Sequence, residues 1–367
     1  MKDPRIEQLA WTVVNYSVQL QKGEHLLIEV EGHHTLLAKA ILKEAFKAGG
    51  NASVIFTDQE ILKTQIMYRE PAHWEHQATH DYVRMNEMDA YVLIRASDNA
   101  NELADLPHAK KDVYWRDYYH RVHDPRWAKT KWCILSYPTP AAAQRANMPT
   151  EAFEDYYFEV CTLDYRALAK EMDRLVSLLE RTDKVRIEGP GTDLTLSIQG
   201  MPIQKDAGLQ NLPDGEVFAV PRKHSVNGMI TFNTSVVIRG FTFEDIALEF
   251  QDGKIIDFKA NDTSKLQQIL DTDDGSRYLG EFGIGLNPYI TKPMKDILFD
   301  EKIWGSIHLA IGSAPNQCEH ANLSSIHWDI VLNQCAEWGG GRLWFDDILV
   351  RENGRFVLDE LQGLNRE

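Results

Sequence analysis

Residues 25–56 read HLLIEVEGHHTLLAKAILKEAFKAGGNASVIF. The apolar run His25 to Val30 has strand character, Thr35 to Ala48 repeats at the helical period, and Gly49-Gly50 ends that helix before a second β-rich run at Ala52 to Phe56. Strand, helix and strand joined by connections this short form a parallel βαβ unit, because an antiparallel pair needs no crossover helix. Upstream, residues 4–22 place Ile6, Leu9, Ala10, Val13, Val14 and Tyr16 in a helical pattern and turn at Gln21-Lys22-Gly23. Downstream, buried strands at Ala90 to Ile94 and Trp132 to Ser136 extend the same sheet. The first part of the chain therefore reads as an α/β domain with an open, largely parallel sheet.

Pro149 to Arg181 reads as helical, with an amphipathic stretch at Asp164 to Leu179, and then the character changes. Short alternating strands dominate: 185–187, 194–198, 217–220, 228–232, 247–250, 254–260, 305–311 and 343–350, interrupted by a helix at Ser264 to Leu270. This predicts an amino-terminal domain over 1–183 and an α+β, strand-rich carboxyl-terminal domain over 184–367. A chain of 367 residues also exceeds what one core usually supports.

The balance of residues excludes several functions. A formal charge of −16 disfavours a nucleic-acid surface and docking to anionic lipid. No run approaches a membrane span, and the polar start MKDPRIEQLAW lacks the apolar stretch of a signal peptide. The four cysteines, Cys133, Cys161, Cys318 and Cys335, form no CxxC pair, so free thiols in a reducing, cytoplasmic compartment are expected.

Residues two apart on a strand share a face. In Ile326-His327-Trp328-Asp329-Ile330 an imidazole and a carboxylate therefore share one side, and three large apolar groups share the other. In Ser306 to Ile311, His308 stands opposite Ile307, Leu309 and Ile311. Buried polar groups are costly unless paired or coordinated, and a divalent ion is an efficient partner for both types. Glu216 and Glu281 each sit where a turn enters a strand. Two Glu, two His and one Asp are enough for two divalent ions with a bridging carboxylate. Taken singly, each His also reads as a hydrogen-bonded core residue and each Glu as a solvated turn residue, and spacing alone does not link the segments.

The link comes from a resemblance. The segments NLPDGEVFAVP (211–221), SVNG (225–228), GSRYLGEFGIG (275–285), FDEKIWGSIHLAIG (299–312) and SSIHWD (324–329), in this order, resemble the aminopeptidase T family of dinuclear metallo-aminopeptidases. The likeness extends to 16–24 (YSVQLQKGE) and 45–55. It implies metal ligands at Glu216, Glu281, His308, His327 and Asp329, two divalent ions (zinc, cobalt or manganese), and metal-activated water releasing amino-terminal residues from short peptides. It also implies a homodimer whose mating surfaces restrict access to the site.

Two features depart from the family pattern. The Tyr that many members carry seven residues after the HLALG histidine is Pro315 here, leaving Tyr289 or Lys292 as substitute donors. The acidic residue that precedes that histidine corresponds best to Glu301, across a longer segment, as an acid/base group or further ligand. An alternative reading takes His308, His327 and Asp329 as the triad of a non-haem iron ring-cleaving dioxygenase. Elsewhere, His33 and His34 suggest a surface or interdomain role, His224 a place near the pocket, and the aromatic stretch Tyr114 to Tyr119 packing or an interface.

Overall fold

The computed structural model describes residues 3–99, 101–238, 240–315 and 318–366. They form two compact units, one of residues up to 163 with 208–213, the other of 164–207 with 214 onward.

The first unit carries a five-stranded parallel sheet in the order Asn51–Thr57, His25–Gly32, Ala90–Ala96, Lys131–Ser136, Asn211–Leu212. Its first crossover is the helix Thr35–Lys47, the expected one, and the second is a pair of helices, Gln59–Tyr68 and Pro71–Asn86. The chain steps first to one side of His25–Gly32 and then to the other, so right-handed crossovers put these helices on opposite faces. Leu26, Ile28 and Val30 are fully buried on one face, while Leu27 packs with Tyr91, Leu93 and Ile134 on the other, beneath Ala78 and Met85 of Pro71–Asn86. Glu29 and Glu31 share the Leu27 face by strand alternation.

The second unit is strand-rich. An eight-stranded antiparallel sheet runs from Lys254–Lys259 through the hairpin Lys184–Gly189/Thr192–Ser197 to Arg355–Phe356. A separate five-stranded antiparallel sheet has the order His327–Asn333, Ser306–Gly312, Leu279–Gly285, Glu216–Ala219, Ile203–Asp206. One apolar core takes residues from both sheets, including Ile187, Leu194, Ile230, Phe282, Leu309 and Ile330.

The helix Tyr165–Leu179, capped by Asp164 through the backbone N–H groups of Arg166 and Ala167, gives Met172, Leu175 and Leu179 to this same core. That packing places the first break between the units near residue 164, where the change in sequence character suggests 184. The segment 208–213 then returns to the first unit, because Asn211 and Leu212 pair with Ile134 and Leu135.

Candidate metal centre

The site is built on one face of the five-stranded sheet. Val217, Phe282, Ile284, Ile307, Leu309 and Ile330 all point into the core. Alternation then forces Glu216, Glu281, His308 and Asp329 to the opposite face. Register brings them side by side: Gly285 faces Glu216, Gly283 faces His308, Glu281 faces Ala310, and Ala310 faces Asp329. A Cβ on Gly283 would stand 2.0 Å from both Nε2 and Cε1 of His308, so glycine is required there for the imidazole to lie across the neighbouring strand.

Each imidazole is anchored from behind. His308 Nδ1 donates to the Glu301 carbonyl at 3.1 Å and His327 Nδ1 to the Ser313 carbonyl at 2.8 Å. A carbonyl only accepts, so both rings present Nε2 to the carboxylates, the arrangement by which an outer partner fixes a ligand's tautomer. His308 Nε2 lies 3.1 Å from Glu281 Oε1 and 3.2 Å from Glu216 Oε2. His327 Nε2 lies 3.3 Å from Asp329 Oδ2 and 3.9 Å from Glu281 Oε2. Glu281 thus turns one oxygen to each histidine. In the two sets Glu216, Glu281, His308 and Glu281, His327, Asp329, the potential ligand atoms lie within 4.8 Å of one another.

The electrostatics demand positive charge. Burial acts against imidazolium at His308, but Glu216, Glu281 and Asp329 outweigh it and push its pKa up to about 9. His327 is raised in the same way, against burial, by Asp329 and Glu281, while burial of Asp329 is overcome by His327 and His308, leaving its carboxyl at about 2. Glu216 moves up because of burial, partly offset by Lys302. Two buried oxygens, Glu216 Oε2 and Asp329 Oδ1, have no hydrogen-bond donor among the described residues. Crowded carboxylates, imidazole Nε2 atoms and undonated oxygens make a mixed oxygen and nitrogen donor set suited to divalent cations.

Sequence reasoning passed over Lys302. It is fully buried, with Nζ 3.1 Å from Glu216 Oε1, 4.0 Å from Asp214 Oδ1 and in direct contact with Glu301. Its place in the charged run Asp300-Glu301-Lys302 suggests a surface turn, and only its position between a strand and a buried helix end reveals otherwise. Glu301 itself is largely buried and paired with Lys302. His224 instead rests against Tyr278 and the Asp252 carbonyl, and Tyr289 is 43 % exposed. In the first unit His33 and His34 bind Asp58 and Asp98.

A second set of groups holds the strand that carries His327. Asp273 accepts hydrogen bonds from Ser276, from the Ser324 hydroxyl at 2.8 Å, and from both the backbone and hydroxyl of Ser325 at 2.6 Å. Asn322, fully buried, donates to the Gly275 and Gly312 carbonyls. The loop before His327 is therefore clasped.

Residues 2–356 match the thermophilic metalloprotease (M29) family. The chain is 24% identical to aminopeptidase AmpS of Bacillus subtilis strain 168, over 84% of each chain. It is 26% identical to aminopeptidase 2 of Geobacillus stearothermophilus, over 89% of this chain and 88% of that one. In structure it is similar to AmpT from Thermus thermophilus, with a TM-score of 0.83 at 22% identity over 97% and 99% of the two chains. More distantly it is similar to 2,5-dihydroxypyridine dioxygenase from Pseudomonas putida KT2440, with a TM-score of 0.59 at 12% identity over 97% and 98%.

Proposed function

This chain belongs to the M29 family of metalloproteases, and from that premise we propose that it is a metal-dependent aminopeptidase acting on short peptides. The observation that carries the reading is Glu281, whose two oxygens face two separate histidine-carboxylate sets. On this reading Glu216, Glu281 and His308 hold one divalent ion, and Glu281, His327 and Asp329 hold a second. Ions held there would supply Lewis acidity toward the scissile carbonyl and toward water.

The protein's own groups do the rest. The Glu301 and Ser313 carbonyls keep both imidazoles oriented, and Lys302 balances charge beside Glu216. Glu301, buried against Lys302, is the candidate to take a proton from the attacking water and return it to the leaving amine. The substrate's α-ammonium is drawn to the surplus of carboxylates, which favours free amino termini. We further propose zinc, cobalt or manganese as the metal, a homodimeric assembly and a cytoplasmic location. The last fits four cysteines that stand as thiols rather than disulfides. Among the described residues no helix is long and apolar enough to cross a membrane.

The dioxygenase alternative uses only His308, His327 and Asp329, and leaves Glu216 and Glu281 in the same cluster without a role. The test is reconstitution of chelator-treated protein with each metal, followed by assay on leucyl amides and dipeptides and by metal analysis. Two ions per chain and metal-dependent release of amino-terminal residues are expected. One iron per chain with oxygen-dependent turnover, or two bound ions with no hydrolysis across a broad peptide panel, would overturn the reading.

A further inference from the structure

The first unit contains a cavity of ≈ 420 Å³ with a composition unlike the rest of its core. Its floor is the face of the parallel sheet that carries Glu29, Glu31, Tyr91 and Leu93, and its walls include Trp74, Tyr114 and Tyr119. We propose that this cavity binds a small organic ammonium ion, with Glu31 as counter-charge and the rings of Trp74, Tyr114 and Tyr119 as walls.

Location is the first argument. The chain leaves His25–Gly32 for Asn51–Thr57 on one side and returns to Ala90–Ala96 on the other, so the strand order reverses beside Glu29 and Glu31. Open parallel sheets bind ligands at such a reversal, toward the carboxyl ends of the strands. The volume falls in the range of small-molecule sites.

Charge is the second. The carboxylates lining the cavity are Glu29, Glu31 and Asp58, and no Lys or Arg lines it among the described residues. Two of the three are committed. Glu29 accepts from Thr57 Oγ1 at 2.9 Å and from the Tyr91 hydroxyl at 2.7 Å. Asp58 caps the helix Gln59–Tyr68 through the Ile61 N–H and pairs with His33. The Glu31 side chain makes no hydrogen bond among the described residues, and burial pushes its carboxyl up, partly offset by Arg95 across the strand pair. Of the other arginines nearby, Arg69 lies 4.7 Å over the Trp74 ring, and Arg126 lies 4.5 Å over Tyr91 while bonding His123.

The rings are the third. Trp74 meets Tyr114 edge-on at 5.0 Å, and Tyr119 stacks on His123 at 4.4 Å. Ring faces around a carboxylate attract a cation that carries its own apolar bulk. A bare metal ion does not fit: only one carboxylate is free, and the metal-competent clusters found among the described residues belong to the second unit.

The experiment is calorimetric titration of the full chain with choline, putrescine and 3,3-dimethylbutan-1-ol, the uncharged isostere of choline. At least one ammonium is expected to bind with Kd on the order of 1 mM or tighter, and the isostere at least about tenfold more weakly than choline if choline is the binder. Glu31→Gln should weaken the ammonium about tenfold while leaving peptide hydrolysis unchanged. No saturable heat with either ammonium, equal binding of choline and its isostere, or full affinity in Glu31→Gln would each overturn the proposal. If Glu31→Gln does not fold, the titrations of the unaltered chain decide: choline must beat its isostere, or putrescine must saturate where the isostere does not.

Discussion

Both units aim carboxylates from strands toward their interior, and the side chains around those carboxylates differ. Glu216, Glu281 and Asp329 meet imidazoles anchored by backbone carbonyls, with candidate ligand atoms lying within 4.8 Å of one another in each of two sets. Glu29 and Glu31 meet indole and phenol rings around open space. Imidazole brings a directed lone pair and suits a bare ion stripped of water. Aromatic faces bring a diffuse quadrupole and suit a cation that keeps its own bulk. The neighbours of a buried carboxylate, more than the carboxylate itself, specify which cation it awaits.

The largest test of that contrast is Glu281→Gln, which removes the charge shared by both histidine sets. It should lower kcat/KM on leucyl amides by roughly a thousandfold or more and reduce bound metal below two ions per chain, while ammonium binding in the first unit persists. Full activity with two ions would break the comparison. Gly283→Ala should come next. Its methyl group collides with the His308 ring, so activity should fall roughly 10- to 100-fold and unfolding should cost about 1–3 kcal/mol less. Circular dichroism and metal content would separate a displaced ligand from a lost fold.

Asp273→Asn should act through stability and position. Burial pushes the Asp273 carboxyl up, but hydrogen bonds from Ser325, Ser324 and Ser276 outweigh it and hold it well below the usual range. A carboxyl depressed in the folded state stabilises above its unfolded value, near 4, and loses that contribution as pH falls. The variant should therefore be roughly 2 kcal/mol less stable at neutral pH, and the gap should narrow progressively as pH falls below about 4. A pH-independent gap in denaturant melts would refute the charge-assisted clasp. The smallest effect concerns independence: chelation that abolishes peptide hydrolysis should change the affinity of the ammonium bound in the first unit by less than about twofold.

Much of the site is legible in the sequence because alternation on a strand is local. His308, His327 and Asp329 stand out from apolar neighbours at the two-residue period. What is not legible depends on register. Nothing near Gly283 in the chain says that it faces His308, and Lys302 looks like a turn charge until its surroundings are assembled. Glu29 and Glu31 are hidden in a strand that Leu26, Ile28 and Val30 make apolar. The parallel sheet and the strand-rich second unit follow from hydrophobic period and turn residues. The break near 164 and the return at 208–213 do not, since both reflect which core or strand a segment joins after folding.

Because Asn211–Leu212 is the last strand of the parallel sheet, a nascent chain cannot finish its first unit until residues 164–207, which belong to the other unit, have already been made. Until then the strand Lys131–Ser136 offers an open ladder edge, including the Ile134 N–H that later donates to the Gln210 carbonyl at 2.8 Å. An unpaired edge of this kind recruits strands from other chains. Translation order thus leaves a window for misassembly that closes only when the polypeptide doubles back, and no single cut in the backbone can release either unit whole.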